Sequence, residues 1–270
     1  MRTGRYLGPV SAVLFAVLLV TGVWGWQQPS PSRRFSEEEP GRPVQAGAPQ
    51  TEYSFARLIY RNAGGFGGGY RGGMWATDYP KADRQFLMGV KRLSLIESGD
   101  GPVTLAWNDP RLFQYPILYA VEVGHMALDD QEAARLREYL LRGGFLVVDD
   151  FHGTYEWDVF ETAIRKVLPD RPIQEVDISD PVFHCFYDVN EKIQVPGVHY
   201  IRSGSTSEKG GTTPHFRGIY DDKGRLMVMI NFNMDLGDAW EWADLPEYPE
   251  KFSSMAYRLG INYIIYSMTH

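Results

Sequence analysis

From about residue 53 onward the apolar positions alternate between two periods. Residues 55–60 (FARLIY) read as a strand. After a glycine-rich stretch, residues 81–95 place Phe86, Leu87, Val90 and Leu93 at the spacing of one helical face. Residues 103–107 and 116–121 are apolar runs of strand length. Asp129 and Glu132 have the spacing of a capping box, opening a helix through Leu136, Tyr139 and Leu140 that Gly143 and Gly144 stop. Residues 145–148 (FLVV) are continuously apolar and run into Asp149 and Asp150, as expected of a central parallel strand covered on both faces. A helix is expected from about residue 155 to 168, closed by Pro169, and then a strand over residues 173–178. Residues 216–220 and 226–232, joined by Asp221, Asp222, Lys223 and Gly224, read as an antiparallel hairpin. The last element, residues 252–268, spaces Met255, Leu259, Tyr263 and Tyr266 as a helix packed on the sheet. The alternation predicts an α/β fold: an open, doubly wound, mainly parallel sheet with helices on both faces and an added antiparallel hairpin.

The N-terminal part follows a different pattern. Arg2 and Arg5 precede an apolar run over residues 10–20, and small residues follow near Gly25. The run is short against the roughly 20 residues a membrane span needs. Residues 1–26 therefore read as a signal peptide cleaved near Gly25, or as an uncleaved anchor with Trp24 at the membrane interface. Residues 27–52 contain Pro29, Pro31, Pro40, Pro43 and Pro49 and few large apolar side chains, which predicts a disordered linker. The expected organisation is a targeting segment, a tether, and one domain over residues 53–270, exported to the periplasm or cell exterior.

A net charge of −7, with lysines and arginines scattered singly, excludes the clustered basic surface that nucleic acid requires. Cys185 is the single cysteine, so no internal disulfide supports the fold. Its neighbour His184 points to the opposite side of an extended segment, which argues for an inert thiol. Gly67, Gly69 and Gly72 satisfy the letters of a dinucleotide-binding loop, but no helix opens at the third glycine and no acidic residue closes a following strand. No cofactor is implied.

In a sheet of this kind ligands bind beyond the carboxyl ends of the strands. After the central strand come Asp149, Asp150 and His152, then Glu156 and Asp158. Carboxylates beside an imidazole can act as acid and base or hold a divalent cation through oxygen ligands; they serve equally well as caps of the next helix. A second group, Asn233, Asp235, Asp238, Trp240, Glu241 and Trp242, follows the hairpin. Aromatic and acidic side chains together suit a carbohydrate, and the tryptophans suit the core as well.

Five segments in this order, LFQYPIL (112–118), LREYLLRGGFLVVDD (136–150), DPVFHCFY (180–187), NMDLGDAWEW (233–242) and RLGINYIIY (258–266), resemble the bacterial family of domain of unknown function 4159. The resemblance implies a flavodoxin-like sheet related to class I glutamine amidotransferases. In those enzymes a cysteine occupies a sharp turn after a central strand; the matching turn here reads Asp149, Asp150, Phe151, His152, Gly153. Glutaminase chemistry is not expected. What remains is an exported cell-envelope module that binds a small polar ligand, a carbohydrate or an envelope protein. The alternative is a hydrolase using Asp149, Asp150 and His152, with or without a metal.

Overall fold

The computed structural model describes residues 51–63 and 73–270. The signal-like segment, nearly all of the linker, and Gly67, Gly69 and Gly72 lie outside the described residues. Nine strands and six helices are described: β1 (Ala56–Ile59), β2 (Arg61–Asn62), α1 (Lys81–Leu93), β3 (Val103–Ala106), β4 (Ile117–Val121), β5 (Met126–Ala127), α2 (Asp130–Leu141), β6 (Phe145–Asp149), α3 (Gly153–Val167), β7 (Gln174–Glu175), α4 (Tyr200–Ser203), β8 (His215–Tyr220), β9 (Leu226–Phe232), α5 (Leu236–Glu241) and α6 (Glu250–Thr269). The main sheet has the order β3-β1-β4-β6-β9-β8-β7. Its first five strands are parallel, and β8 and β7 add on antiparallel. Numbered by their place in the chain, the five parallel strands run 2-1-3-4-5, the flavodoxin-like order.

The period-two pattern of the strands divides the core. Leu118, Ala120, Leu146 and Val148 face one layer with Leu136 and Leu140 of α2 and Phe160 and Ile164 of α3. Ile117, Tyr119, Phe145 and Val147 face the other, with Phe86 and Val90 of α1, Trp240 of α5 and Met255, Leu259 and Tyr263 of α6. Each large apolar side chain so buried contributes about 1.5–3 kcal/mol. The capping box forms as expected, Asp129 accepting from the Gln131 and Glu132 amides and Glu132 from the Asp129 amide.

Three local expectations are corrected. Leu93 is 46 % exposed and leaves the helical face, because α1 ends there and the chain turns at Ser94. The strand expected over 173–178 keeps two ladder residues, since β7 is the sheet's outer edge with β8 alone to pair with. Helix α3 begins at Gly153, two residues early, where Glu156 reaches back to accept the His152 amide at 2.7 Å. Among the described residues no helix is long and apolar enough to cross a membrane.

Arg57, inside β1, is a fully buried cation. Its guanidinium makes a two-pronged pair with the buried Asp83 of α1 and donates to the carbonyls of Trp75 (3.1 Å) and Thr77 (2.8 Å). One charge therefore ties the central sheet to α1 and fixes the segment ahead of that helix, which carries Asp78. Removing one member of such a pair strands the other charge in the interior, a loss of about 3–5 kcal/mol. Asp83→Asn is expected to lower the unfolding free energy by about that amount in denaturant melts; a loss below about 1 kcal/mol would contradict this role.

Candidate functional site

The carboxyl ends of β4, β6 and β9 open into one cavity of about 470 Å³, within the size range of small-molecule sites. Its lining includes Asp78, Glu122, Asp150, Glu208, Asp235, Asp238 and Glu241, with Lys81, His199 and Trp242 among them. The backbone delivers these side chains at a conformational cost. Glu122 follows β4 with φ 52°, Asp150 follows β6 with φ 51°, and Asp78 has φ 61°. Left-handed backbone is uncommon outside glycine, and strain of this kind gathers at functional sites. Asp150 stands at the turn between β6 and α3.

Adjacent residues of the sequence take different parts. Asp149, still in the strand, is fully buried and accepts from the Tyr119 hydroxyl at 2.8 Å and the Leu236 and Gly237 amides at 2.8 and 3.1 Å. It joins two strands to the start of α5 and does not line the cavity. Asp150 lines it, 6 % exposed, with Oδ1 3.2 Å from His152 Nε2. The imidazole of His152 is wholly enclosed, so it touches Asp150 rather than the cavity space. Asp158 is exposed on α3.

The second group divides likewise. Asp235 lines the cavity at 3 % exposure, and its Oδ1 accepts the Asp238 amide at 2.7 Å as the cap of α5. Asp238 accepts from the Val198 amide (2.6 Å) and the Trp242 indole (3.0 Å). Glu241 and Trp242 complete that wall, and the Lys81 ammonium lies 3.8 Å from the Trp242 ring centre. Asn233 is spent on the backbone, accepting from Gly153 and donating to Thr213. Trp240 lies in the core against Phe55, Phe86 and Tyr119, so it offers no stacking platform to a ligand. Cys185 is half-buried near the Asn262 carbonyl at 3.1 Å, away from these residues, and burial pushes its thiol up.

The sequence reading did not nominate Asp78, Glu122, Glu208 or Lys209. Glu122 was findable, since it follows the apolar run of β4 as Asp150 follows that of β6. The others come from irregular segments whose position only the folded chain sets. Lys209 donates to Glu156 at 2.7 Å and lies 3.6 Å from Glu122, beside His125. Its carbonyl sits so close to Gly153 that a side chain there would meet it at 2.1 Å.

Electrostatics separate two neighbouring clusters. Burial raises Glu156, but hydrogen bonds from His125, Lys209 and the His152 amide outweigh it and hold the carboxyl at about 2. Around the cavity the balance is reversed. Burial, then repulsion from Asp238 and Asp150, holds Asp78 well above the usual carboxylate range. Burial with Asp238 and Asp149 does the same to Asp150, and burial with Asp150 and Asp238 to Asp235. Burial and Asp150 push Glu122 to about 8, burial and Asp238 push Glu241 to about 7, and burial alone lifts Asp149 to about 7. Burial lowers His152, which favours the neutral ring.

These six raised carboxyls bind protons more tightly folded than unfolded. Their stabilising effect is complete below the ordinary carboxylate range and is lost as pH rises through the folded values. His152 acts in the opposite sense but alone, and Glu156 matters only below about pH 4.5. In metal-free buffer the melting temperature is expected to fall between about pH 5 and pH 8. A flat or rising profile by scanning calorimetry would contradict the assignment.

No curated protein matches the chain. The family model described as "Domain of unknown function (DUF4159)" matches residues 54–268, which is the whole sheet with the helices on both faces and the strand-end cavity. The chain therefore belongs to the DUF4159 family.

Proposed function

We propose that the protein is a binding module whose strand-end cavity takes a positively charged ligand. The observation that carries this reading is the imbalance of charge around the cavity. Seven carboxylates line it, three of them bring oxygens within 4.8 Å of one another, and Lys81 at the wall is the single lysine or arginine among the lining residues. Buried carboxylates are costly unless paired. Glu122 has Lys209 at 3.6 Å and Glu208 has His199 at 2.7 Å, but among the described residues no lysine or arginine makes an ion pair with Asp78, Asp150 or Asp235. Protonation or a bound cation relieves that cost, and only a bound cation lets all of them stay ionised at neutral pH.

Two further features favour a cation over a neutral sugar. The indole available at the wall, Trp242, already carries the Lys81 ammonium on its ring, and the other tryptophan is part of the core. Hydrolysis by an Asp150 and His152 pair is the weaker reading, because an acid–base histidine must reach the reacting atoms and this imidazole is enclosed. The N-terminal pattern of residues 1–26 supports export, so the module would work in the cell envelope, tethered by residues 27–52.

Thermal melts at pH 7.5 against a panel of small solutes test the reading. Divalent cations, putrescine or arginine amide are expected to raise the melting temperature, the effect corresponding to about 2.7 kcal/mol at a hundredfold excess over Kd. Asp150→Asn is expected to remove most of that rise. Equal stabilisation by glucose or phosphate, or an unaltered response in the variant, would refute it.

A further inference from the structure

Two carboxylate clusters flank the end of β6, and they differ in one respect. Glu122, His125 and Glu156 bring ligand atoms within 4.8 Å of one another, and the ammonium of Lys209 sits among them. Asp78, Asp150 and Asp235 converge just as closely, yet among the described residues no lysine or arginine makes an ion pair with any of them. The buried guanidinium of Arg57 is committed to Asp83 and two carbonyls, Lys209 to Glu156, and Lys81 to the Trp242 ring. One cluster contains its own cation and the other does not.

The oxygens of the second cluster are also left over after the fold has used what it needs. Asp235 is 97 % buried and gives one oxygen to the Asp238 amide; Asp150 is 94 % buried and gives one to His152. Neither second oxygen has a hydrogen-bond partner among the described residues, and both side chains line the cavity. Asp78 Oδ2 is likewise buried without a partner. Asp238 and Glu241 come within the same reach of Asp78, which extends the negative wall.

We propose that Asp78, Asp150 and Asp235 form a site for one hard divalent cation, Mg²⁺, Mn²⁺ or Ca²⁺, each giving a carboxylate oxygen. Water in the cavity completes the coordination. This rests on the reading of the pocket as a cation binder and names its ligand. Oxygens no more than 4.8 Å apart fit around one ion at the roughly 2.0–2.6 Å of such bonds. An alkylammonium would need an apolar channel for its carbon stem. The side chains that converge here are instead carboxylates, with Thr77 and His199 beside them, which suits an ion that keeps several waters. His152 becomes a positioning residue, fixing the Asp150 carboxylate from behind as outer-shell partners of metal ligands do.

Isothermal titration calorimetry of the chelator-treated full chain with MnCl₂, MgCl₂ and CaCl₂ tests the site. One ion per chain is expected, with Kd at least about tenfold weaker in Asp78→Asn, Asp150→Asn and Asp235→Asn. Circular dichroism confirms that each variant folds. Where one does not, paramagnetic broadening by Mn²⁺ in the wild-type protein takes its place and is expected to centre on these three residues. Binding that survives all three substitutions, or broadening centred elsewhere, overturns the site. Absence of metal binding while putrescine or arginine amide still stabilises the protein through Asp150 overturns the metal inference and leaves the cation-binding reading standing. Absence of stabilisation by any cation removes both.

Discussion

Burying like charges together is the constraint on which the site depends. A parallel sheet sends its strand ends to one edge, and here β4, β6 and β9 each run into an acidic residue there or shortly after. The first two reach the cavity by a left-handed residue directly after the strand, Glu122 and Asp150. The third delivers Asp235 as the cap of α5. Sheet order, backbone conformation and the Arg57–Asp83 pair that holds the Asp78 segment all serve to bring carboxylates together around one cavity. A fold under selection for stability alone would replace such a group with apolar side chains of the same volume.

The neighbouring cluster clarifies what is unusual. Glu122 and Glu156 are also acidic and also enclosed, but Lys209 and the half-buried His125 lie against them, and the Lys209 carbonyl closes on Gly153. That arrangement needs no ligand. The Asp78, Asp150 and Asp235 group has the same geometry without the cation, and this contrast within one molecule separates a structural ion cluster from a receptive one.

Much of the architecture could be read from periodicity. The run of residues 145–148 is the middle strand of seven, the Asp129 and Glu132 spacing makes its capping box, and the hairpin pairs as expected. These features are local, or depend on burial alone. The site was legible to the level of its loops and not to the level of its side chains. Asp149 and Asp150 are adjacent, and only the tertiary fold decides that one serves the start of α5 while the other faces the cavity. Trp240 lies in α5 and Trp242, two residues on, caps its end, so they point to different sides, one into the core and one to the wall. Asp78 and Glu208 arrive from segments with no periodic signal, placed by contacts distant in the sequence.

Occupancy of the space between Asp78, Asp150 and Asp235 by a cation is the point on which the proposed function turns. Its most direct measurement is an anomalous difference map from crystals of the protein soaked in Mn²⁺. A peak is expected within about 2.0–2.6 Å of an oxygen from each of the three aspartates. A map in which manganese decorates exposed carboxylates and leaves this position empty would contradict it.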